Sequence, residues 1–246
     1  MKNQAVDIEA TRARNVSRYP EGSHFLVAVD CIIFGFDGVE LKLLLVHRGF
    51  EPNKGKWSLM GGFVQENESL EMASSRILKQ LTGLTGVYME QLQTFGNPDR
   101  DPVERTVSVA YYALIDIHQY EKRLSKEFHP EWFAFNKIPK LIFDHEQMVT
   151  IAKSKLRHQA ALQPILFELL PSRFTLRVLQ NLYENVFEKE FDKRNFSRKV
   201  LADGLLVKTL LKEKTGSKKG AFFYRLDRSE YRAKFQSFLN YVTSPQ

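Results

Sequence analysis

The sequence predicts a mixed α/β domain followed by a smaller, mainly helical domain. Strand-like segments rich in β-branched and aromatic residues alternate with one prominent amphipathic helix over residues 23–160. Helical periodicity dominates the chain beyond residue 161. Positive charge is unevenly divided, since residues 171–246 carry 16 lysines and arginines against 8 acidic residues, whereas residues 1–170 carry 20 against 21. This asymmetry indicates a near-neutral body joined to a C-terminal segment that faces a polyanion.

The composition narrows the class of protein. With 246 residues, 43% of them hydrophobic, the chain can bury a large core. The single cysteine, Cys31, cannot form an intramolecular disulfide, and its apolar neighbours predict a buried thiol. Residues 1–22 have the composition of a polar, flexible arm rather than a signal peptide, and no apolar stretch is long enough to span a membrane. We therefore expect a cytoplasmic protein with no membrane partner.

The first domain is predicted to consist of hairpins around one helix. The turn Phe36-Asp37-Gly38 joins two strands, and a helix over Ser69–Leu81 has an apolar stripe and ends at Gly83. A domain boundary is placed near Ala160–Pro164, so that residues 23–160 form the first domain and 161–246 the second. The predicted strands are Phe25–Phe34, Val39–His47, Val87–Phe95, Arg105–Asp116 and Glu131–Phe135, followed by a helix around Glu146–Gln159.

A spaced motif lies around the predicted helix. Gly62, Glu68, Arg76 and Gly83 stand at the intervals of the Nudix box, in which Gly is followed after five residues by Glu and after seven more by an Arg-Glu helix. Residues 22–160 therefore resemble a Nudix domain. This resemblance implies an α/β/α sandwich built around a phosphate-chemistry pocket.

The metal-binding carboxylates of that box are missing. Pyrophosphate cleavage requires hard cations, which bind clustered oxygen ligands. The three positions that the family fills with glutamate are Ile77, Gln80 and Leu81. We therefore predict no catalytic residue, no metal and no cofactor, with Glu68 and Arg76 bracing the loop and helix. The alternative is a residual diphosphate hydrolase whose basic tail recruits nucleic acid.

A pocket that has lost its metal can still bind a ligand. The loop Thr94–Pro102 alternates acidic residues and arginine, a pattern suited to sugar hydroxyls or diphosphate oxygens. An equally weighted alternative is a loop whose charges satisfy one another, and an aromatic such as Trp57 is more often part of a core. The candidate ligand-binding residues are Arg48, Lys56, Trp57, Asp99, Arg100, Asp101 and Arg105.

The second domain has the pattern of a DNA-binding unit. Thr175 and Asp192 are suited to cap two successive helices, the second of which has Phe196, Val200 and Leu201 as inward anchors. Two strands, Leu205–Leu211 and Ala221–Leu226, follow and are joined by a flexible basic tip over 212–220. Helix, basic helix and basic hairpin in this order resemble a winged helix-turn-helix. The candidate DNA-binding residues are Lys193, Arg194, Asn195, Ser197, Arg198, Lys199, Lys214, Lys218 and Lys219.

Together the two halves resemble the Nudix-related transcriptional regulators. The resemblance implies a homodimer that binds a palindromic operator in double-stranded DNA. It also implies that the Nudix-like domain senses a small effector, either ADP-ribose or, in branches that control carbohydrate metabolism, a pentose such as arabinose. A DNA-binding protein with no effector is a further possibility.

Overall fold

A computed structural model describes residues 24–120, 130–214 and 220–231. The predicted arm over residues 1–22 and the candidates Lys218 and Lys219 lie outside these ranges. The strands are β1 (Leu26–Phe36), β2 (Leu41–His47), β3 (Trp57–Ser58), β4 (Met60–Phe63), β5 (Tyr88–Phe95), β6 (Thr106–Asp116), β7 (Glu131–Ala134), β8 (Phe174–Thr175), β9 (Leu206–Glu213) and β10 (Ala221–Leu226). The α-helices are α1 (Leu70–Thr82), α2 (Ile117–Tyr120), α3 (His145–Leu162), α4 (Leu176–Phe187) and α5 (Lys193–Ala202), with 3-10 turns at Phe135–Lys137 and Ile165–Leu169.

The first domain is built on a mixed sheet whose main strand order is β3-β2-β1-β6-β5. The central strands β1 and β6 run parallel over their full lengths, while β4 pairs with β1 and β7 pairs with β2 in antiparallel fashion. The hairpin between β1 and β2 turns where it was predicted. Asp37 accepts hydrogen bonds from the backbone N–H groups of Val39 and Glu40, and Gly38 has a φ of 94°.

Alternating residues of β1 supply two separate cores, one on each face of the sheet. Ile32 and Phe34 face α3, whereas Cys31 and Ile33 face α1. The predicted α/β/α sandwich is therefore confirmed. Cys31 is buried, as expected, and this burial raises the pKa of its thiol well above its usual range.

Helix α1 has the ends that the sequence predicts. The Ser69 hydroxyl accepts a hydrogen bond from the Met72 N–H, and Gly83 ends the helix in the left-handed region with a φ of 77°. The chain continues from α1 into β5. The position of α1 places the predicted box next to β4 in the sheet.

In the part of the second domain that the structure describes, α4 and α5 pack with a three-stranded sheet that has the order β8-β10-β9. Thr175 caps α4 by accepting from the Val178 N–H, and Asp192 caps α5 by accepting from the Asn195 N–H, as predicted. The core on the α3 face continues through the 3-10 turn at Ile165–Leu169 into α4 and α5. A winged helix-turn-helix therefore shares its core with the first domain.

Two expectations about the second domain require correction. Leu201 was predicted to be an inward anchor but is exposed, because Phe196 and Val200 already fill the space between α4 and α5. Strand β9 continues to Glu213, so Lys212 belongs to a strand rather than to a flexible tip. No helix among the described residues is both long and apolar enough to cross a membrane.

Candidate effector pocket and DNA-binding face

A cavity of about 210 Å³ opens in the first domain where β1, β2 and β4 meet the loop before β6 and the start of α3. The pairing of β1 with β4 forms the floor of this cavity, and the register between these strands places Asp30 opposite Gly61. A Cβ atom on Gly61 would lie 2.2 Å from the Asp30 Oδ1 atom. Glycine at position 61 therefore makes room for a carboxylate beneath the pocket.

A buried network of charges surrounds that carboxylate. The Arg100 guanidinium donates two hydrogen bonds to Asp144, at 3.0 and 2.9 Å, and one to Asp30 Oδ2 at 3.3 Å. The Ser108 hydroxyl donates to the same Asp30 oxygen at 2.6 Å. The Arg100 side chain is 4% exposed, so these ion pairs are largely withdrawn from water. Arg100 thereby joins its loop to β1 and to the start of α3, and Asp30 extends the network to β6 through Ser108.

The protonation states in this network follow from burial and from the charged neighbours. Burial alone would lower the pKa of Arg100, but the hydrogen bonds to Asp144 and the charge of Asp30 outweigh it and raise that pKa. Burial lowers the pKa of His145 and favours its neutral form. Its Nδ1 atom accepts a hydrogen bond from the Leu59 N–H at 3.1 Å, so the ring proton is on Nε2, which faces Asp30 Oδ1 at 3.7 Å. The polar base of the pocket is therefore pre-organised.

Arg48 lies at the rim of the pocket, and its surroundings differ from those of the ion-paired Arg100 at the base. Its guanidinium lies 4.1 Å from the ring centroid of Phe50 and 5.3 Å from that of Phe143. Within the described ranges, Arg48 forms no ion pair with a carboxylate, and burial lowers its pKa. A cation held between two rings beside a cavity is suited to bind an anionic group, with the rings available for stacking.

The structure separates the predicted ligand-binding residues. Arg48, Arg100 and Asp101 line the pocket, while Asp99 and Arg100 line an adjoining cavity of about 600 Å³. Arg105 instead braces the loop by donating to the carbonyl groups of Gly96, Asn97 and Thr106.

The two candidates just before the box also lie away from the pocket. The Lys56 ammonium is bound to Asn53 Oδ1 at the surface, at 2.7 Å. Trp57 packs between His47 and Phe133, with ring centroids 3.7 and 4.7 Å away, and so has the core-like position that was the alternative for it.

Sequence reasoning missed Asp30 and His145, two buried polar residues that line the pocket, and Asp144, which binds Arg100 beside it. Asp30 lies within an apolar strand, where periodicity predicts a core residue, and Asp144 and His145 were not among the candidate ligand-binding residues. Their role depends on Arg100, which is 70 and 44 residues away from Asp30 and Asp144 along the chain. An isolated aspartate within an otherwise apolar strand is the signal that could have indicated a buried ion pair.

The retained box residues form a brace. Arg76 donates to both oxygens of Glu68, at 2.5 and 2.9 Å, and to the Phe63 carbonyl oxygen at 2.9 Å. The Gln65 N–H also donates to Glu68, and the hydrogen bonds from Arg76 lower the pKa of Glu68 to about 2. Gly62 lies beneath α1 and Gly83 ends it. These contacts hold the loop against the helix.

The residues at the former metal positions do not fit a divalent cation. Ile77 is buried, and its side chain would lie 3.3 Å from a Cβ built on Gly62, so it fills the space beneath the loop. Gln80 accepts a hydrogen bond from Arg76 at 3.2 Å, and Leu81 is the third position on the same helix. Within the described parts of the chain, no group of three histidine, cysteine, aspartate or glutamate residues could hold a metal ion.

The DNA-binding candidates on α5 share one exposed surface. Phe196 turns inward against Tyr183 and Phe191, which places the polar residues on the opposite side of the helix. Arg198 donates to Asn195 Oδ1 at 3.1 Å. Ser197 is partly buried and Lys214, after β9, is exposed. The exposed members on α5 are Lys193, Arg194, Asn195, Arg198 and Lys199.

The two domains are joined by hydrogen bonds as well as by the shared core. Asn185 on α4 accepts from the Leu41 N–H at 3.1 Å and donates to the Val39 carbonyl at 2.9 Å. Glu188, which ends α4 with a φ of 52°, is bound by Lys153 and by Arg157, the latter at 2.6 Å. Because Lys153 and Arg157 lie on α3, whose first turn includes His145, one helix connects the pocket with the winged helix.

The fold and these two sites define a class of protein in which a Nudix domain is joined to a winged helix. A model of the NUDIX domain matches residues 24–152, and a model of the NrtR DNA-binding winged helix domain matches residues 166–226. The chain belongs to the NrtR family.

Individual relatives agree with this assignment. The chain is 33% identical over 220 residues to the "ADPR responsive transcriptional repressor NtrR" of Acinetobacter baylyi, with 88% of each chain covered. The Shewanella oneidensis NrtR structure with a 27mer DNA is 31% identical, with a TM-score of 0.73 over 84% of this chain and 95% of that one. The NUDIX domain of the same protein complexed with ADP ribose is 33% identical, with a TM-score of 0.50 over 58% of this chain and 97% of that one.

Proposed function

We propose that this protein is a cytoplasmic, DNA-binding transcriptional repressor whose affinity for its operator is set by ADP-ribose bound in the pocket of the first domain. The observation that carries this proposal is that one chain of the NrtR family combines a pocket that has Arg48 at its rim with an exposed basic helix. The ADP-ribose-responsive relative and the ADP-ribose complex favour this effector over a pentose. A sugar without a phosphate would leave the Arg48 charge unmatched.

The rim of the pocket would bind the ligand, and the base would hold the residues of the rim in place. Arg48 would bind the diphosphate, since a guanidinium pairs well with phosphate oxygens. Phe50 and Phe143 offer apolar faces for a ring of the ligand. The Arg100 network would hold these elements in place rather than bind the phosphates, because its charges are already paired.

The second domain would bind double-stranded DNA through α5. An exposed helix with short polar and cationic side chains can enter the major groove. We further propose a homodimer on a palindromic operator, because two-fold symmetry in the protein would match two half-sites. Binding to DNA should weaken steeply with salt as phosphate contacts release counterions.

We propose that the first domain does not hydrolyse its effector. Ile77 occupies the space next to Gly62, and both oxygens of Glu68 are engaged by Arg76, so the known route through clustered carboxylates and a divalent cation has no ligand set here. Incubation with ADP-ribose and magnesium should release no AMP. Turnover that is abolished by Glu68→Gln would establish the hydrolase alternative, with the basic tail as a nucleic-acid recruiter.

A thermal-shift comparison of ADP-ribose with arabinose tests the effector assignment. A ligand that binds only the folded state must raise the melting temperature. ADP-ribose should raise it and arabinose should not, and Arg48→Ala should remove the shift. Lys56→Ala is the matched control, since that lysine is nearby in sequence but lies outside the pocket. A shift with arabinose alone would assign the pocket to pentoses, and no shift with either compound would leave a DNA-binding protein without this effector.

A fluorescence-anisotropy titration on DNA from the gene's own upstream region tests the regulatory assignment. The wild-type protein should bind a palindromic fragment at low salt, and ADP-ribose should change that affinity. Such a change requires that the ligand bind the DNA-competent and DNA-incompetent states with different affinity. Failure to bind any upstream fragment at low salt would contradict the proposal.

A further inference from the structure

Asp101 places a carboxylate in the same pocket as the cation Arg48. It lines the cavity of about 210 Å³ and is partly buried in the loop that precedes β6. Its Oδ1 atom accepts a hydrogen bond from the Val103 N–H at 2.9 Å, which fixes the carboxylate relative to the backbone of the loop. Among the residues that the structure describes, Asp101 forms no ion pair. An unpaired negative charge therefore lies in a pocket that is proposed to bind an anionic ligand.

This carboxylate is close enough to affect Arg48. Burial lowers the pKa of the Arg48 guanidinium, and the charge of Asp101 is the largest of the effects that oppose burial, ahead of those of Asp30 and Glu51. Arg48 and Asp101 do not contact each other as an ion pair, although both line one cavity. A ligand that enters the cavity would therefore meet a cation and a carboxylate together.

The other charges at this cavity supply no further cation for a phosphate. Arg100 is already bound to Asp30 and Asp144. Burial lowers the pKa of His145 and favours its neutral form. Among the described residues, Arg48 is thus the only lysine or arginine that lines the cavity without a carboxylate partner. One diphosphate can be placed beside Arg48, and any further phosphate would lack a cation.

An adjoining cavity of about 600 Å³ has the same shortage of free cations. It shares Arg100 and Phe143 with the first cavity, and the other charged residues in its lining are Asp99 and Asp144. The first cavity alone is smaller than the roughly 300–1,000 Å³ that usually hold a ligand of drug size, so ADP-ribose bound at Arg48 would extend into the second. Beyond its diphosphate, the ligand would therefore lie among carboxylates.

The chemistry of a carboxylate limits which part of the ligand can lie beside Asp101. An ionised carboxylate only accepts hydrogen bonds, so it needs a donor and repels phosphate oxygens. A ribose adjoins the diphosphate of ADP-ribose on either side, and the hydroxyl groups of ribose are donors. In dinucleotide-binding folds an acidic residue likewise binds a ribose hydroxyl, whereas a phosphate at that position is accommodated by an arginine.

We propose that Asp101 accepts a hydrogen bond from a ribose hydroxyl of the effector and thereby rejects effectors whose ribose carries a further phosphate. This inference rests on the proposed function, in which ADP-ribose is the effector and Arg48 binds its diphosphate. The protein would respond to ADP-ribose and not to a derivative phosphorylated on that ribose. Such specificity comes from the repulsion of the wrong ligand as well as from contact with the right one.

Isothermal titration calorimetry with three ligands tests this selection. ADP-ribose is compared with 2′-phospho-ADP-ribose, which carries its extra phosphate on the adenosine ribose, and with ADP-ribose 1″-phosphate, which carries it on the other ribose. The wild-type protein should bind at least one of the phosphorylated ligands about tenfold or more weakly than ADP-ribose, because like charges would lie close together in a partly buried site. The rejected ligand identifies the ribose beside Asp101. Equal affinities for all three ligands would overturn the inference.

Asp101→Asn separates repulsion by charge from a simple lack of space. Asparagine keeps an oxygen that can accept from the Val103 N–H, so the melting temperature without ligand should not change. The ratio of the affinities for ADP-ribose and for the rejected ligand should fall by about tenfold. Glu104→Gln is the matched control and should keep the wild-type ratio, since Glu104 is an exposed acid on the same loop that lines neither cavity. A ratio that Asp101→Asn leaves unchanged would contradict the role of its charge.

Failure of this inference can be told apart from failure of the proposed function. If the wild-type protein binds ADP-ribose and Asp101→Asn has the wild-type ratio, the effector assignment stands and only the role of Asp101 is wrong. If the wild-type protein does not bind ADP-ribose, the proposed function fails and this inference fails with it.

Discussion

The pocket of the first domain and the DNA-binding face of the second domain differ in whether their charged side chains are paired inside the protein or exposed to water. Around the pocket, Arg100 is buried and bound to Asp30 and Asp144. On α5, Lys193, Arg194 and Lys199 are exposed and have no carboxylate partner among the described residues. A buried charge must be paired inside the protein, whereas an exposed cation is stabilised by water until a partner arrives.

This difference separates residues that maintain a shape from residues that bind a partner. Changes in the Arg100 network should act mainly on folding, because they leave a charge buried without its partner. Changes on α5 should act mainly on binding, because those side chains contribute little to the fold. Arg48 stands between the two groups, since it lines the pocket but forms no ion pair with any carboxylate that the structure describes. The following predictions test this separation, from the largest expected effect to the smallest.

Arg100→Met should cause the largest loss. It leaves the buried Asp30 and the partly buried Asp144 without their cation, which should lower the free energy of unfolding by about 3–5 kcal/mol in a urea titration. Asp99→Asn, on the same loop but exposed, should change it by less than roughly 0.5 kcal/mol. Equal effects of the two variants would show that the network does not stabilise the fold.

Arg198→Ala should show the opposite behaviour. We expect a loss of about 1–3 kcal/mol in DNA-binding free energy if this arginine contacts a base edge, with no change in melting temperature. Arg173→Ala serves as the control, because Arg173 is an exposed arginine that precedes the winged-helix helices. Unchanged affinity would place Arg198 on the solvated side of the complex.

His145 should make stability depend on pH. Its pKa is lowered in the folded state, so the unfolded chain binds a proton near pH 6.5 while the native protein does not. Stability contributed by neutral His145 is therefore fully present above pH 6.5 and is lost as the pH falls below it, by up to about 1.4 kcal/mol per pH unit.

Thermal unfolding between pH 7.5 and 5.5 measures this dependence. His145→Gln should flatten the curve, whereas His158→Gln should not, since His158 is exposed on the same helix. A curve that is equally steep for His145→Gln would assign the proton uptake to other groups.

Glu188→Gln should have the smallest effect on stability and a specific effect on coupling. The side chain is 55% exposed, so its pairs with Lys153 and Arg157 should contribute only about 0.2–1 kcal/mol to folding. Because these pairs join α3 to the end of α4, the ratio of DNA affinities with and without ADP-ribose should decrease. Glu190→Gln, two residues further on and exposed, is the control. An unchanged ratio would exclude this contact from the coupling between the sites.

Much of the fold could be predicted because its signals are local. Gly83, Thr175 and Asp192 were assigned as helix ends from their own side chains or backbone freedom, and each ends or caps a helix in the structure. The strand periodicity likewise located the main strands to within a few residues. The prediction that Leu201 is an inward anchor was wrong, because helical periodicity identifies the apolar side of a helix but not how far the neighbouring helix extends to cover it.

The sequence by itself determined the box without its carboxylates, the basic C-terminal segment and the order of helices and strands that indicates a winged helix. The tertiary structure decided which charges are paired. The register between β1 and β4 places Asp30 under Gly61, and the fold of the chain brings Arg100 and Asp144 to it. Contacts with distant residues likewise decided that Arg48 lines the pocket and that Trp57 and Arg105 do not. Such pairings depend on sheet register and packing across the whole domain, which no local pattern encodes.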